Sequence, residues 1–230
     1  MKQISAFKES LFLKKIYKKY IKNNKRAEEV LQFKINGRVK KLLGERGLPS
    51  NKKFLKNGWS KKMLLRYGLA IHYSRGKSVL ETCSGLGWGA YLLDKVAKKV
   101  VCLEKDKETI NFAKKTWQTE KNEYIAGSVL KMPVKAHQFD IVLAMESIEH
   151  FNKKNIIKYL GEIYRALKPS GLLIGSSFFP DTRTEAKRLS LKNQYHLYIC
   201  TKGEMTMLLK KQGFKKIKIF QNRLFFVAKK

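Results

Sequence analysis

From residue 78 onward, short apolar runs alternate with longer mixed ones along the chain. Segments such as Ser78-Val79-Leu80, Val100-Val101-Cys102-Leu103 and the run from Phe139 to Ala144 are short, and polar or turn-forming residues bound them. That pattern predicts strands at 78–82, 99–104, 123–126, 139–144, 171–177, 214–220 and 223–228. Between them, helical spacing predicts helices at 88–97, 107–119, 153–167 and 202–212. Strands alternating with helices imply an α/β fold, a parallel sheet covered on both faces. The last two strands, FKKIKIF and RLFFVAK, meet at Gln221-Asn222 and read as a hairpin. The first sixty residues read differently. Phe7, Leu11, Leu13, Tyr17, Tyr20 and Ile21 lie among lysine pairs with no clean apolar stripe, which predicts an edge-packed helix over 1–25. A second helix is predicted from Ala27 to Leu43, then a turn-rich break from Gly44 to Ser50. A third covers 60–74, with Ser60 as its N-cap. The pattern divides the chain into a mainly helical extension, residues 1–60, and an α/β domain, residues 61–230.

The first predicted strand leads into chemistry. Its apolar lead-in, Ser78-Val79-Leu80, ends on Glu81, and Gly85, Gly87 and Gly89 follow at alternate positions before Ala90-Tyr91-Leu92-Leu93. Glycines permit a tight turn and close backbone approach. A helix start offers N–H groups that lack intrahelical partners. The second predicted strand ends on Glu104, and a carboxylate there suits the two hydroxyls of a ribose. Two cofactors fit. Gly85 to Ala90 matches G-x-G-x-x-A, a dinucleotide fingerprint. Glu81 opposes that reading, because a carboxylate before the loop repels a pyrophosphate. S-adenosylmethionine carries an ammonium, a sulfonium and a ribose, and no phosphate, so Glu81 favours it.

Charge is the compositional extreme. Fifty basic residues face eighteen acidic ones, a net +32, and 41 of the basic residues are lysine. The excess is spread along the chain: residues 1–60 carry +13 and the remainder +19. Diffuse lysine fits sequence-blind attraction to RNA or an acidic membrane surface, or a compositional bias with no partner. Three cysteines without a C-x-x-C pair read as reduced thiols of a cytoplasmic protein. The N-terminal residues scatter charge through the apolar positions, unlike a signal peptide, and no apolar run approaches a membrane span. His72, His137, His150 and His196 lack metal-ligand spacing, so no metal is expected.

Five segments in order, VLETCSGLGWG, VVCLEKD, AGSVLKMPV, FDIVLAMESIEHF and RALKPSGLLIGSS, resemble the class I S-adenosylmethionine-dependent methyltransferases. The resemblance runs from about Tyr67 to Ala228. It implies a Rossmann-like, mostly parallel seven-stranded sheet with a reversed last strand. It implies that Glu81, Cys83, Ser84, Gly85 and Gly87 face the methionine portion of S-adenosyl-L-methionine. Glu104, with Lys105 beside it, takes the ribose. Ser128 and Val129 border the adenine, and Glu146 opens the pocket toward the acceptor. Glu81 and Ser128 stand where the family more often has Asp, and Ser84 where it has Gly or Cys. Trp88 and Tyr67 are further candidates for cofactor contact, or for packing alone.

Methyl transfer from a sulfonium needs an aligned nucleophile, and a base only where that nucleophile carries a proton of high pKa. His150, in ESIEH, is the first candidate base, with Glu149 as a possible orienting group. His196, in NQYHLY, is the second. The layout GERGLP, RYGLA, glycine loop, NQYHLY and TKGEM is also similar to methyltransferases of surface glycan and lipopolysaccharide assembly. That resemblance implies an oxygen of a saccharide or small molecule as acceptor, on a lipid carrier at the membrane surface in one version. RNA methylation is the rival reading. Met145-Glu146-Ser147-Ile148 replaces the N/D-P-P-Y/F motif of amino-methylating enzymes. A third reading is an inactive cofactor-binding domain, which the retained Glu81, Gly85, Gly87 and Glu104 oppose.

Overall fold

A computed structural model describes residues 2–43, 46–220 and 224–230, with side chains described from residue 11 onward. The chain begins with α1 (Lys2–Tyr20), α2 (Lys25–Gln32), α3 (Gly37–Leu43), α4 (Lys52–Lys56) and α5 (Trp59–Ser74). Alternation follows: β1 (Ser78–Thr82), α6 (Trp88–Leu93), β2 (Lys99–Glu104), α7 (Lys107–Trp117), β3 (Asn122–Ala126) and β4 (Phe139–Met145). After β4 come a 3-10 turn (Ile148–His150), α8 (Lys153–Ala166), β5 (Leu167–Ser176) and α9 (Arg183–Ser190). Last are α10 (Lys202–Lys211), β6 (Lys215–Ile219) and β7 (Phe225–Lys229). The strand order is β3-β2-β1-β4-β5-β7-β6. β7 runs antiparallel to β5 and to β6, so the expected reversed last strand is present. The expected turn at Gln221-Asn222 lies outside the described residues.

The described residues form two compact units. The first comprises the chain up to Lys77 together with Ser84–Ala126. Here α1 packs on α5. Ile16 and Ile21 are buried, and a side chain on Gly68 would meet both. Tyr20 and Phe12 close on His72 of α5. Each buried isoleucine contributes about 1.5–3 kcal/mol. The helix predicted over 27–43 is two helices. Asn36 breaks it, its side chain accepting from Val39 N–H at 3.0 Å to start α3 afresh. Ser60 is not the N-cap of α5: Gly58 takes that position, and the Ser60 hydroxyl donates to the Pro49 carbonyl. α6 ends at Leu93 rather than continuing to 97. Asp94 follows it, buried and ion-paired with Arg26 of α2, whose guanidinium lies over the Tyr91 ring.

The second unit comprises Ser78–Cys83 and Gly127–Lys230. β1 pairs with β4 and β4 with β5, all parallel. Their buried faces carry Leu80, Ile141, Leu143 and Ile174. Phe226 of β7 lies opposite Gly175 of β5, and a side chain on Gly175 would overlap its ring. The missing side chain makes room for the aromatic one. α9, which the sequence pattern did not predict, starts at Thr182, whose hydroxyl accepts from Glu185 N–H. α10 opens with a reciprocal Thr201–Glu204 capping box.

Candidate active site

In the first unit, the glycine loop and the end of β2 meet. Ser84 N–H donates to the Leu103 carbonyl and Gly87 N–H to the Ser84 carbonyl, which folds the loop back on itself. Gly85 and Gly87 have φ of 52° and 78°, the left-handed region where a side chain is strained. Gly87 is needed for a second reason. A Cβ there would lie 2.6 Å from the Tyr124 ring and 2.7 Å from Ala113, and the Tyr124 hydroxyl donates to the Gly87 carbonyl at 3.0 Å. Close packing of loop, β3 and α7 therefore fixes this glycine. Ser84 is 8% exposed, and its hydroxyl has no hydrogen-bond partner among the described residues. A buried hydroxyl left so is an opening for a ligand's polar group.

Glu104 is buried, not a solvated charge at a strand end. Its carboxylate accepts from Gly85 N–H at 3.2 Å and from Asp106 N–H at 3.3 Å. Arg46 Nη2 lies 3.5 Å from the same carboxylate and 3.6 Å from that of Asp106. Asp106 also caps α7 through Thr109 N–H, and that hydrogen bond holds its carboxyl below the ordinary carboxylate range. Sequence reading missed Arg46. Its side chain lies along Gly85, yet it comes from the break after α3, and nothing local in the sequence ties it to β2. Lys105 is exposed. Trp88 is buried, donates to the Gly47 carbonyl at 2.8 Å and packs on Tyr67 with ring centroids 4.4 Å apart. The two aromatics pack on each other within this unit.

In the second unit, two strand ends carry backbone outside the usual regions. Cys83, just after β1, has φ 52°, and Glu146, just after β4, has φ 46°. Such residues cluster at functional sites. Glu146 is held by its N–H, which donates to the Ser176 carbonyl at 2.9 Å. Glu81 is buried in β1. Beside it, Thr82 and Ser147 share the hydroxyl of Tyr159, a fully buried phenol. Burial, and then the nearby Cys83, push that phenol well above its ordinary range, so it stays a neutral hydrogen-bonding post. Val129 is buried, while Ser128 is exposed and its hydroxyl accepts from Leu130 N–H at 3.2 Å.

The fold brings the two candidate bases together. The His150 and His196 rings sit 5.3 Å apart at 75°. His150 Nδ1 is 3.0 Å from the Tyr195 carbonyl. A carbonyl only accepts, so Nδ1 carries the hydrogen and Nε2 presents a lone pair. Asn193 contacts His196 Nε2 at 3.1 Å. The carboxylate of buried Glu149 joins both rings, with one possible ligand atom from each residue within 4.8 Å of the others. The segment carrying His196 also exposes Leu191, Tyr195 and Leu197, and Phe178 is exposed after β5. No helix among the described residues is long and apolar enough to cross a membrane.

Comparison with known proteins agrees with this geometry. Residues 80–175 match the model of the methyltransferase domain family. Over 173 residues, 75% of this chain, the sequence is 27% identical to a Mycolicibacterium smegmatis protein named "Probable S-adenosylmethionine-dependent methyltransferase". The match spans 65% of that relative's length. A fatty-acid O-methyltransferase of the same organism is 28% identical over 120 residues, 48% of this chain and 43% of its own. Among solved structures, the YcgJ protein from Bacillus subtilis superposes with a TM-score of 0.62 at 14% identity, covering 72% of this chain and 97% of its own. Over residues 80–175 the chain is thus similar to methyltransferase domains, and it spans about two thirds or less of the length of the probable S-adenosylmethionine-dependent methyltransferases it matches.

Proposed function

We propose that the protein moves a methyl group from S-adenosylmethionine to an oxygen of a small-molecule acceptor. The observation that carries this reading is Glu104. It sits at the end of β2, buried, with its carboxylate held by the N–H of the glycine loop inside the matched domain. An orphaned Ser84 hydroxyl in the same loop fits a ligand with polar groups to offer.

In this reading Glu104 accepts from both ribose hydroxyls, with Gly85 N–H and Asp106 N–H fixing the carboxylate, and Lys105 stands beside it in solvent. Ser84, Gly85 and Gly87 line the loop. Glu81 and Cys83 serve the cationic methionine portion, Ser128 and Val129 the adenine, and Glu146 the acceptor side. The bound cofactor supplies an electrophilic methyl group on a good leaving group. What remains for the protein is to align the acceptor, exclude water and, where the acceptor is an alcohol, take one proton. His150, with Nδ1–H held by Tyr195 O, can take that proton at Nε2, and His196 is its nearest ring partner.

An oxygen acceptor is supported by the relative named for fatty-acid O-methylation. The exposed Leu191, Tyr195 and Leu197 beside His196 favour an apolar acid or alcohol over a saccharide. The test is calorimetry with S-adenosylhomocysteine and NAD, followed by transfer of labelled methyl to fatty acid, lipid-linked saccharide and RNA. Tight NAD binding without a response to S-adenosylhomocysteine refutes the cofactor. Labelling of RNA alone, with binding that weakens steeply with salt, refutes the small-molecule acceptor and assigns the +32 charge to a polyanion. Labelling of the saccharide refutes the preference for an apolar acceptor.

A further inference from the structure

Glu149, His150 and His196 have a geometry that a proton-transfer pair does not need. A base and its neighbour require one lone pair. Here a buried carboxylate and two imidazoles converge, the only such group of three or more among the described residues. We infer that these three residues bind one divalent transition metal of the zinc type.

The donor set is right for such an ion: two imidazole nitrogens and one carboxylate, one of the three-residue sets that keep a position open. The second layer is right as well. A metal-binding histidine usually donates its other ring N–H to a carbonyl or carboxylate, which fixes the tautomer and turns a lone pair to the metal. His150 does this through Nδ1 and the Tyr195 carbonyl. Tyr198 N–H donates to the Glu149 carbonyl at 3.3 Å, which ties the 3-10 turn to the segment carrying His196. The spacing is close to what an ion needs. Ligand atoms about 2.1 Å from one zinc lie roughly 3.5 Å apart. The three donors span 4.8 Å, so closure takes about an ångström of side-chain rotation. Both histidines are partly exposed and can make it. Asn193, now against His196 Nε2, either yields that nitrogen or turns its amide to accept from it.

Linear spacing concealed the site, because Glu149 and His150 are adjacent in sequence and His196 lies beyond α8, β5 and α9. Three protein ligands leave a position for water or for an acceptor oxygen; with the ion bound, His150 Nε2 is a ligand and the base role proposed above belongs to the metal-free protein only. The link to the acceptor rests on the methyl-transfer reading; the metal site does not.

The experiment uses the full chain, stripped with a chelator and titrated with Zn²⁺ against a chromophoric competitor. One Zn²⁺ per chain is expected. Glu149→Gln, His150→Ala and His196→Ala should each weaken it by at least about tenfold, while His137→Ala leaves it unchanged. Glu149→Gln keeps the side-chain shape, and far-ultraviolet circular dichroism checks the fold of every variant. Co²⁺ should give visible bands of low symmetry that His196→Ala removes. No zinc retained by the wild type, zinc retained equally by the His150→Ala/His196→Ala double variant, or Co²⁺ bands indistinguishable from the aqueous ion would overturn the site. S-adenosylhomocysteine binding is measured on the same samples. Its loss with one zinc retained supports the site and overturns the methyl-transfer reading. Its persistence with no zinc bound overturns the site alone.

Discussion

Replacing Glu104 by glutamine separates its two duties. The carboxylate accepts from Gly85 N–H and Asp106 N–H and pairs with Arg46. Glutamine keeps one acceptor and turns the other oxygen into a donor, so one N–H contact is lost and the ion pair is neutralised. A hydrogen bond to a charged acceptor contributes about 1.5–3 kcal/mol. Both contacts exceed 3 Å, which favours the low end. Arg46 is a quarter exposed, so its pair adds about 1 kcal/mol or less. Glu104→Gln should therefore lower stability by about 2 kcal/mol in urea unfolding. Loss of the charged acceptor for the ribose should weaken S-adenosylhomocysteine about ten- to hundredfold in calorimetry. Arg46→Ala is the companion: a stability loss of about 1 kcal/mol or less, shrinking with salt, and affinity within about threefold. A folded Glu104→Gln protein with unchanged affinity refutes the ribose assignment. Equal weakening by both variants refutes the division between them and makes Arg46 a ligand contact.

Gly87→Ala should destabilise by about 2–4 kcal/mol, from left-handed strain plus the overlap with Tyr124 and Ala113, measured by chemical denaturation. A loss under about 1 kcal/mol would show that the loop relaxes. Glu162 is held below the ordinary carboxylate range chiefly by its hydrogen bond from Arg165, with burial opposing and Met132 N–H assisting. Its folded pKa lies below the unfolded one, so its stabilisation is complete above the ordinary carboxylate range and fades as pH falls below it. Glu162→Gln should flatten the acid limb of stability against pH, and an unaltered limb counts against the pairing. Burial pushes the Cys200 thiol up to about 12, with Glu204 adding to it, and Cys102 is fully buried. A thiol reagent at pH 8 should thus modify half-buried Cys83 first, more slowly with S-adenosylhomocysteine present, as read by peptide mass.

Local features were legible in the sequence. β1 and β2 fall on the predicted residues because each is an apolar run closed by a turn or an acidic tip. That the glycine loop and Glu104 lie at the same strand ends was legible for a related reason, the strand–loop–helix–strand order; the Gly85–Glu104 hydrogen bond itself was not foreseen. Arg46 was not legible, since its reach to Glu104 depends on how α3 to α5 pack. Ser60 failed as a cap because the helix starts before it, with left-handed Gly58 at the cap, and its hydroxyl donates instead to the Pro49 carbonyl, a tertiary contact invisible to local spacing. The pairing of His150 with His196 needed the chain to return through β5 and α9 first. Glu104 shows the limit most plainly: its position was foreseen, its burial was not.

Cys83 and Glu146 carry side chains where the backbone would prefer none. Glycine at either position would relieve about 1 kcal/mol of left-handed backbone strain. A screen that selects only for thermal tolerance would therefore favour both replacements early. It would enrich hardier proteins while erasing the two functional groups at the ends of β1 and β4. In the proposed reading, where Cys83 serves the cofactor and Glu146 the acceptor, durability and usefulness pull in opposite directions, and a stabilised version of this protein should be made with both residues held fixed.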